Sequence, residues 1–441
     1  MKKYEKYKKS EVDWLGEIPE HWDIAKIKWL TSVKRGASPR PIADTKYFDE
    51  IGEFAWVRIA DVSASERYLE KTTERLSELG SSLSVKQYPG DLFLSIAGSV
   101  GKPIITKIKC CIHDGFVWFP ELKINPEFLY YLFQTGLPFG GLGKIGTQLN
   151  LNTDTIGSIV IPYLSNVDYE SIVKFLDYKT AQIDAIINKK EQLIEKLKLQ
   201  RQAIINEAVT GKKIWNGNSW SKPTEVKKSG IEWLGNIPKN WEVIKLKYLA
   251  SITRGAILRP VDEPAYFDEN GDWTYLNISD VTKCDKYLNE GKLKLSELGS
   301  TKSARVEPNN LIITASATIG KPFINTIPVC VHDGFIPITD LKCDINFLFH
   351  YIGNPQLYVA LGKSNTQKNI YLDEVKEMLI TLPTNLEQKN IAFNLEQENI
   401  LFDKLISKEV KSVTKLKQYR QSLISEAVTG KIDLRDWKQP S

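Results

Sequence analysis

The sequence lacks long hydrophobic segments. No apolar run approaches the roughly 18 residues of a membrane span, so we expect no membrane insertion. The charged residues 1–14 contain no hydrophobic stretch of a signal peptide, which predicts a cytoplasmic protein. Cysteine is scarce, odd in number at five, and absent from any CxxC pair. Neither a disulfide framework nor a zinc knuckle is therefore indicated.

An excess of charge of one sign is also missing. Lys and Arg total 59 and Asp and Glu total 54, which gives a net charge of +5. A near-neutral average can contain a local basic face, so it permits nucleic-acid binding without demanding it. Apolar residues make up 42% of the chain and charged residues 26%, as in ordinary globular proteins. At about 150 residues per domain, the length predicts two or three domains.

The chain is an internal duplication with a constant offset of 219 residues (233 minus 14). The segment Trp14-Leu-Gly-Glu-Ile-Pro-Glu-His-Trp22 recurs at 233–241 with the same Trp-Leu-Gly, Ile-Pro and Trp residues. The same offset relates Arg35-Gly36 to Arg254-Gly255, Gly101-Lys102-Pro103 to Gly320-Lys321-Pro322, His113-Asp114-Gly115-Phe116 to His332-Asp333-Gly334-Phe335, and Glu207–Lys212 to Glu426–Lys431. One offset over almost half the chain indicates two homologous halves with very few insertions.

Each half ends in a segment that lacks proline and glycine up to Gly211 or Gly430. These segments are rich in helix formers, and Asn385 with Gln388 predicts a capping box at the start of the second. Residues recur there every seven positions: Leu176, Ile183, Lys190, Leu197 and Ile204, then Leu395, Phe402, Glu409, Leu416 and Leu423. The spacing predicts two coiled-coil helices, each about 65 Å long. The alternative is a helix buried against its own globular domain.

These patterns predict the following organisation: a first globular domain at 1–164, a helix at 165–212, a linker at 213–230, a second globular domain at 231–383, a helix at 384–431 and a tail at 432–441.

Several motifs resemble catalytic signatures without meeting their requirements. Gly98–Pro103 has two residues between its glycines, whereas a phosphate-binding loop needs four, so a tight turn is predicted. Asn125-Pro-Glu-Phe128 lies about 14 residues before the glycines at 140–143, too close for the fold of a methyl-donor site. We take Asn354-Pro355-Gln356-Leu357 as the second copy of this motif, and it lacks the glycines.

An acidic motif leaves a nuclease open as an alternative. Asp114 with Glu121-Leu-Lys123 imitates a metal-dependent nuclease hairpin, and Asp333 repeats the motif with Asp340 and Lys342. The acid would hold Mg²⁺ and the lysine would polarise water, although the gap is short for such a site. His113 and His332 lack enough neighbouring ligands for a metal and predict a structural or DNA-contacting turn.

Taken together, the repeated Trp-Leu-Gly segment, the Arg-Gly entry, the Gly-Lys-Pro turn, Thr147-Gln148-x-Asn150 and the Glu-Ala-Val-Thr-Gly-Lys helix end resemble one family. The chain resembles, over nearly its whole length and twice, the specificity (S) subunit of type I restriction–modification enzymes. The resemblance implies an α+β fold. Two homologous target-recognition domains are separated by two long helices that pair as an antiparallel coiled coil with a pseudo-twofold axis.

The resemblance also implies a division of labour. Each globular domain reads one half of a split double-stranded DNA target, and the chain itself is non-catalytic. Two modification (methyltransferase) subunits dock on the helices, and restriction-translocase subunits join them. S-adenosylmethionine, ATP and Mg²⁺ belong to those partners, so we expect no cofactor or metal on this chain. A coiled-coil scaffold without DNA binding is the remaining alternative.

Candidate DNA-binding residues are polar residues at matching turns of the two halves, because Arg and Lys neutralise phosphates while Arg, Asn and Gln read base edges. In the first half they are Arg35, Arg40, Arg58, Lys102, Lys144, Thr147, Gln148 and Asn150. In the second they are Arg254, Arg259, Asn277, Lys321, Lys363, Thr366, Gln367 and Asn369.

Two further expectations concern the helices. Lys190 and Glu409 interrupt the two heptad series at equivalent central positions and are predicted to meet and fix the helix register. Ile186 and Leu193 lie beside the main seam, which a two-helix contact cannot cover, and are predicted to dock the modification subunits.

Overall fold

The computed structural model describes residues 2–140, 142, 151–316, 319–361 and 369–440. The chain divides into two compact units. Unit 1 comprises Met1–Glu191 and Lys411–Ser441, and unit 2 comprises Gln192–Val410. Each unit thus contains one globular domain and a part of both long helices, a division that cuts through the predicted helical segments.

The globular domain of unit 1 is built from short strands and short helices. Its strands are β1 (Tyr7–Lys9), β2 (Glu17–Pro19), β3 (Asp23–Lys26), β4 (Lys34–Arg35), β5 (Phe54–Val57), β6 (Tyr68–Leu69), β7 (Glu74–Leu76), β8 (Val85–Gln87), β9 (Leu92–Ser95), β10 (Pro103–Thr106), β11 (Cys110–Ile112), β12 (Phe116–Trp118) and β13 (Val160–Tyr163). Its helices are α1 (Ile27–Leu30), α2 (Ile59–Ala64), α3 (Glu78–Ser82), α4 (Pro126–Gln134) and α5 (Thr153–Ser158).

Two mixed sheets enclose the core of this domain. One has the order β4-β12-β9-β10-β6 and the other β7-β5-β11-β8, with β10–β6 and β11–β5 parallel. Phe93, Ile104 and Phe116 from the first sheet pack in one buried cluster with Val57 and Ile112 from the second. The strands β9, β10 and β11 are almost entirely apolar because both faces are buried.

Unit 2 repeats this architecture. Its strands are β14 (Ile214–Trp215), β15 (Trp220–Ser221), β16 (Val226–Lys228), β17 (Asn236–Pro238), β18 (Glu242–Lys245), β19 (Ser251–Ile252), β20 (Trp273–Leu276), β21 (Tyr287–Leu288), β22 (Leu293–Leu295), β23 (Ala304–Val306), β24 (Leu311–Thr314), β25 (Pro322–Asn325), β26 (Val329–Val331), β27 (Phe335–Thr339) and β28 (Leu379–Leu382). The sheet orders β19-β27-β24-β25-β21 and β22-β20-β26-β23 match those of unit 1.

The long helices are α6 (Asn166–Val209) and α12 (Asn385–Val428), with 44 residues each. Between them in the chain lie α7 (Ile278–Thr282), α8 (Glu297–Thr301), α9 (Ile345–Ile352), α10 (Pro355–Ala360) and α11 (Leu372–Lys376). No helix in the described part of the chain is long and apolar enough to cross a membrane.

The capping box at the start of α12 begins one residue earlier than predicted. Thr384, not Asn385, accepts the helix N–H through its hydroxyl, and its own N–H donates to Glu387 Oε2 at 3.0 Å. Gln388 instead donates to the Pro383 carbonyl, because its side chain turns back into the domain. Threonine followed by Glu three residues later is the usual capping-box pair.

The end of each long helix packs on the repeated tryptophan motif of its unit. Gly211 and Gly430 stop the helices with a positive φ of 72°. Lys431 donates to the Glu17 carbonyl in unit 1, and Lys212 donates to the Leu234 carbonyl in unit 2. The two most clearly repeated motifs therefore bind each other.

The heptad seam is confirmed within each unit. In unit 1 Asp184 pairs with Arg420 and Glu191 with Lys417, so residue numbers rise on α6 as they fall on α12, and the helices run antiparallel. Ile183, Ile187 and Val413 are buried along this contact. The first turns of α6 also pack on the globular domain, as the alternative prediction has it. There the centroid of the Tyr169 ring lies 4.7 Å from that of Phe128.

Candidate nucleic-acid interface

A turn around Asp114 positions two candidate arginines of unit 1. Gly36 donates to the Phe116 carbonyl at 2.9 Å, and a Cβ at Gly36 would overlap the carbonyl of His113. This close approach holds Arg35 beside the turn, where its Nε donates to the Asp114 carbonyl. Arg40 Nη2 lies 3.4 Å from Asp114 Oδ2, and its side chain is 81% exposed.

Unit 2 repeats the turn. A Cβ at Gly255 would overlap the His332 carbonyl, which again leaves room for glycine only. Arg254 Nε lies 3.4 Å from the Asp333 carbonyl, and its Nη2 lies 3.9 Å from Asp333 Oδ2. Arg259 is exposed, and its carbonyl accepts from the Tyr266 hydroxyl. An exposed guanidinium held near a carboxylate keeps donors free for a phosphate or a base edge.

The histidine in each turn has a structural role. His113 Nδ1 accepts from the Gly115 N–H at 2.8 Å, and His332 Nδ1 accepts from the Gly334 N–H at 2.9 Å. Burial lowers the pKa of both imidazoles, against the raising effect of the adjacent aspartate. Both rings are therefore neutral at pH 7, with the proton on Nε2.

The nuclease alternative finds no support in this geometry. The Asp114 carboxylate faces Arg40 and His113 rather than further acids. Within the described ranges, no group of three or more His, Cys, Asp and Glu side chains is arranged to hold a metal ion. The sequence 98–103 is a turn, as predicted, with Gly98 and Gly101 at positive φ.

Two residues predicted to contact DNA, Lys102 and Lys321, bind carbonyls at helix ends, and their contact with DNA stays a prediction. Lys102 Nζ donates to the carbonyls of Ser63 and Ser65 at 3.1 and 2.6 Å, at the end of α2. Lys321 Nζ donates to the carbonyls of Val281 and Thr282 at 2.8 and 3.2 Å. Ammonium groups stabilise the negative ends of helices, so this placement favours a structural role over DNA contact.

Arg58 and Asn277 begin matching helices. Each backbone N–H donates to an aspartate three residues on: Arg58 to Asp61 Oδ2 at 2.8 Å and Asn277 to Asp280 Oδ2 at 3.0 Å. Arg58 Nη2 also lies 2.5 Å from Glu74. An aspartate of the chain itself therefore already caps each of these short helices.

The remaining DNA candidates are less informative. Asn369 is exposed and forms an isolated bridge with Ser316. Lys144, Thr147, Gln148, Asn150, Lys363, Thr366 and Gln367 lie outside the described residues.

The methyltransferase-like motif is a helix start. Asn125 Oδ1 accepts the N–H groups of Glu127 and Phe128 at the start of α4. Asn354 starts α10 in the same way, but it is not the counterpart of Asn125. That position belongs to Asp344, which caps α9 and lies 219 residues after Asn125.

The helix residues beside the seam are exposed. Ile186 and Leu193 are 45% and 42% exposed. Four further exposed apolar side chains lie on α12, and the sequence analysis did not single them out: Phe393, Ile400, Leu401 and Leu405. Lys190 and Glu409 lie on α6 of unit 1 and α12 of unit 2, and their pairing stays a prediction.

The fold and the repeated turns define a class of binding protein, in which two similar domains present exposed arginines and are carried on long helices. Residues 238–413 match the family described as type I restriction modification DNA specificity domain. The MjaIX specificity subunit of a type I restriction enzyme from Methanocaldococcus jannaschii is 24% identical, with 96% of each chain covered.

Solved structures share the fold. A chain of a type I R-M system superposes with a TM-score of 0.72 at 14% identity, covering 94% of this chain and 99% of that one. The HsdS subunit from Thermoanaerobacter tengcongensis superposes with a TM-score of 0.52 at 15% identity, covering 94% and 98%. The chain is thus similar in sequence to type I restriction enzyme specificity subunits and shares the fold of solved chains from type I systems.

Proposed function

We propose that this chain is the DNA sequence-specificity subunit of a type I restriction–modification complex, and that each globular domain reads one half of a bipartite target. The duplicated arginine turn carries the proposal. Arg35 and Arg40 in one unit, and Arg254 and Arg259 in the other, are exposed at equivalent places. Arginine is suited both to phosphates and to the bidentate reading of guanine.

The same duplication bears on the form of the target. Two similar domains on antiparallel helices favour DNA halves that are inverted repeats, since a two-fold protein favours a two-fold site. Arg58 in the first half stands where the second has Asn277, which marks a place where the two half-sites can differ.

Specificity subunits of this family are non-catalytic, so the chain contributes recognition and the partners contribute chemistry. Two modification subunits dock on the exposed apolar residues of the long helices, and restriction-translocase subunits join the complex. S-adenosylmethionine, ATP and Mg²⁺ bind to those partners. Exposed apolar side chains such as Leu193 and Ile400 support this docking, because apolar patches on helices mark protein contacts.

The experiment is methylation-sensitive sequencing of DNA modified by the assembled complex. We expect one interrupted motif whose two halves are inverted repeats or close to it. Replacing both Arg35 and Arg40 by Gln should weaken recognition of the first DNA half-site. The matched replacement of Arg254 and Arg259 should weaken recognition of the second half-site. Each lost phosphate contact should lower the salt dependence of DNA binding by about 0.9 in log–log slope.

Three results would contradict the proposal. A motif whose halves have no inverted relation would exclude the proposed target symmetry. Mg²⁺-dependent cleavage by the isolated chain would favour a nuclease built on Asp114 and Asp333. DNA binding that is absent from the complex, or insensitive to salt, would favour a scaffold that does not read DNA.

A further inference from the structure

Arg67 joins the globular domain of unit 1 to the long helix α6. Its guanidinium pairs with Glu127 at the start of α4 and, through Nη1, with Asp177 Oδ1 of α6 at 2.5 Å. The Tyr131 hydroxyl donates to the same Asp177 oxygen at 2.7 Å. The Arg67 side chain is only 16% exposed. One largely buried cation thus pairs with an acid on the domain and an acid on the helix.

Aromatic rings surround this cation. The Cζ of Arg67 lies 5.0, 5.3 and 4.7 Å from the ring centroids of Tyr68, Tyr130 and Tyr131. A planar guanidinium can stack on rings and bond two acids at once, whereas an ammonium acts as a point charge. Removing Arg67 would leave Glu127, which is 23% exposed, and Asp177, which is 46% exposed, without the cation that joins them.

A second ion pair lies one heptad further along α6. Asp184 binds Arg420 of α12 in a bidentate manner, with Nε–Oδ1 at 2.8 Å and Nη2–Oδ2 at 3.1 Å. Asp177 and Asp184 are seven residues apart and line the same cleft of about 1200 Å³. The domain is thus tied to α6 by one pair, and α6 is tied to α12 by the next.

Unit 2 contains both links at the constant offset. Lys286 replaces Arg67 and lies 2.9 Å from Glu396, which replaces Asp177. Arg201 replaces Arg420 and lies 2.6 Å from Asp403, which replaces Asp184.

The ion pair that joins the domain of unit 2 to α12 has fewer charged partners than the one in unit 1. Asn346 stands in the position of Glu127, so the acid that binds Arg67 on the domain side has no charged counterpart. His350 takes the place of Tyr131, and its Nε2 lies 4.0 Å from Glu396.

We propose that Arg67 and Lys286 are positioning residues that hold each recognition domain at a fixed angle on its long helix. Arg420 and Arg201 keep the helices in register. Together these links set which DNA spacer the complex accepts, an inference that rests on the proposed function. A slip of one heptad would move a domain by about 10 Å, or about three base pairs. Because Arg67 bridges two acids, the first domain is held more firmly than the second.

The test measures methylation by the assembled complex. Its substrates are DNA duplexes with both half-sites and with a spacer that is native, one base pair shorter or one longer. Arg67→Gln should reduce the preference for the native spacer at least about tenfold and leave the preferred half-site sequence unchanged. Arg67→Lys copies the second unit and should give a smaller loss, while Lys286→Arg should sharpen the preference. Lys174→Gln, on the exposed face of α6, is the matched control and should change nothing.

The outcomes distinguish a failure of this inference from a failure of the proposed function. If Arg67→Lys assembles and methylates with the wild-type spacer preference, the cluster only stabilises the fold and the inference is wrong. This holds even if Arg67→Gln does not assemble, because the lysine variant retains the charge. If the wild-type complex shows no bipartite preference at any spacing, the proposed function is wrong and the inference falls with it.

Discussion

Replacing Gly430 by alanine should destabilise unit 1 by two separable effects. Gly430 has a φ of +72°, and an alanine there is strained by about 1–2 kcal/mol. An added Cβ would also lie 2.8 Å from Pro19 Cγ and 2.9 Å from Trp22 Cζ3. Both atoms belong to the repeated tryptophan motif, and Trp22 is fully buried. Crowding such a packed site costs about 1–3 kcal/mol more.

Gly136 is the matched control for this substitution. It lies in the same unit and has the same φ of +72°, but a Cβ there would meet nothing within 4 Å. Gly136→Ala should therefore show the backbone strain alone. The difference between the two variants measures the contact between the end of α12 and the tryptophan motif.

Thermal and urea unfolding of the full chain provide the assay. For a unit of this size, 1–3 kcal/mol corresponds to a melting shift of roughly 2–12 °C. Gly430→Ala should melt lower than Gly136→Ala by that amount. Equal melting of the two variants would refute the packing of the helix end on Pro19 and Trp22. Gly211→Ala should behave like Gly430→Ala in unit 2, because its Cβ would approach Pro238 and Trp241.

Three further predictions follow from the helices and the second domain. Leu193→Asp should weaken assembly with the modification subunits, measured by sedimentation. Ile51→Asp, which changes an exposed loop residue, is the control and should not weaken assembly. If Leu193→Asp instead unfolds the isolated chain while assembly survives, Leu193 belongs to the internal core. Lys190→Glu should destabilise the chain or weaken its discrimination between DNA spacers. Adding Glu409→Lys should restore the lost stability or discrimination. If the double variant loses as much as the two single variants together, the two residues do not meet. Burial lowers the pKa of His350 to about 4, so the unfolded chain takes up its proton first as the pH falls below about 6.5. Urea unfolding of unit 2 should then lose about 2 kcal/mol between pH 7 and pH 5, and His350→Tyr should remove that loss; an unchanged pH slope would disprove the assignment.

Sequence alone determined the features that depend on short spacings. The 219-residue offset, the heptads, and the helix stops at Gly211 and Gly430 all involve residues within a few turns of each other or a direct comparison of the halves. Local rules therefore suffice for them. The local pattern does not determine the exact start of α12, because Thr384–Glu387 and Asn385–Gln388 both fit a capping box and only the first pair forms one.

Tertiary structure decided the rest. The sequence predicts Lys102 as a DNA contact, and only the tertiary structure shows that its ammonium group also binds a helix end some forty residues earlier in the chain. Arg67, Glu127 and Asp177 share no motif, and only folding brings their charges together. Ion pairs between residues so far apart in sequence depend on the packing of separate elements, which no local spacing records.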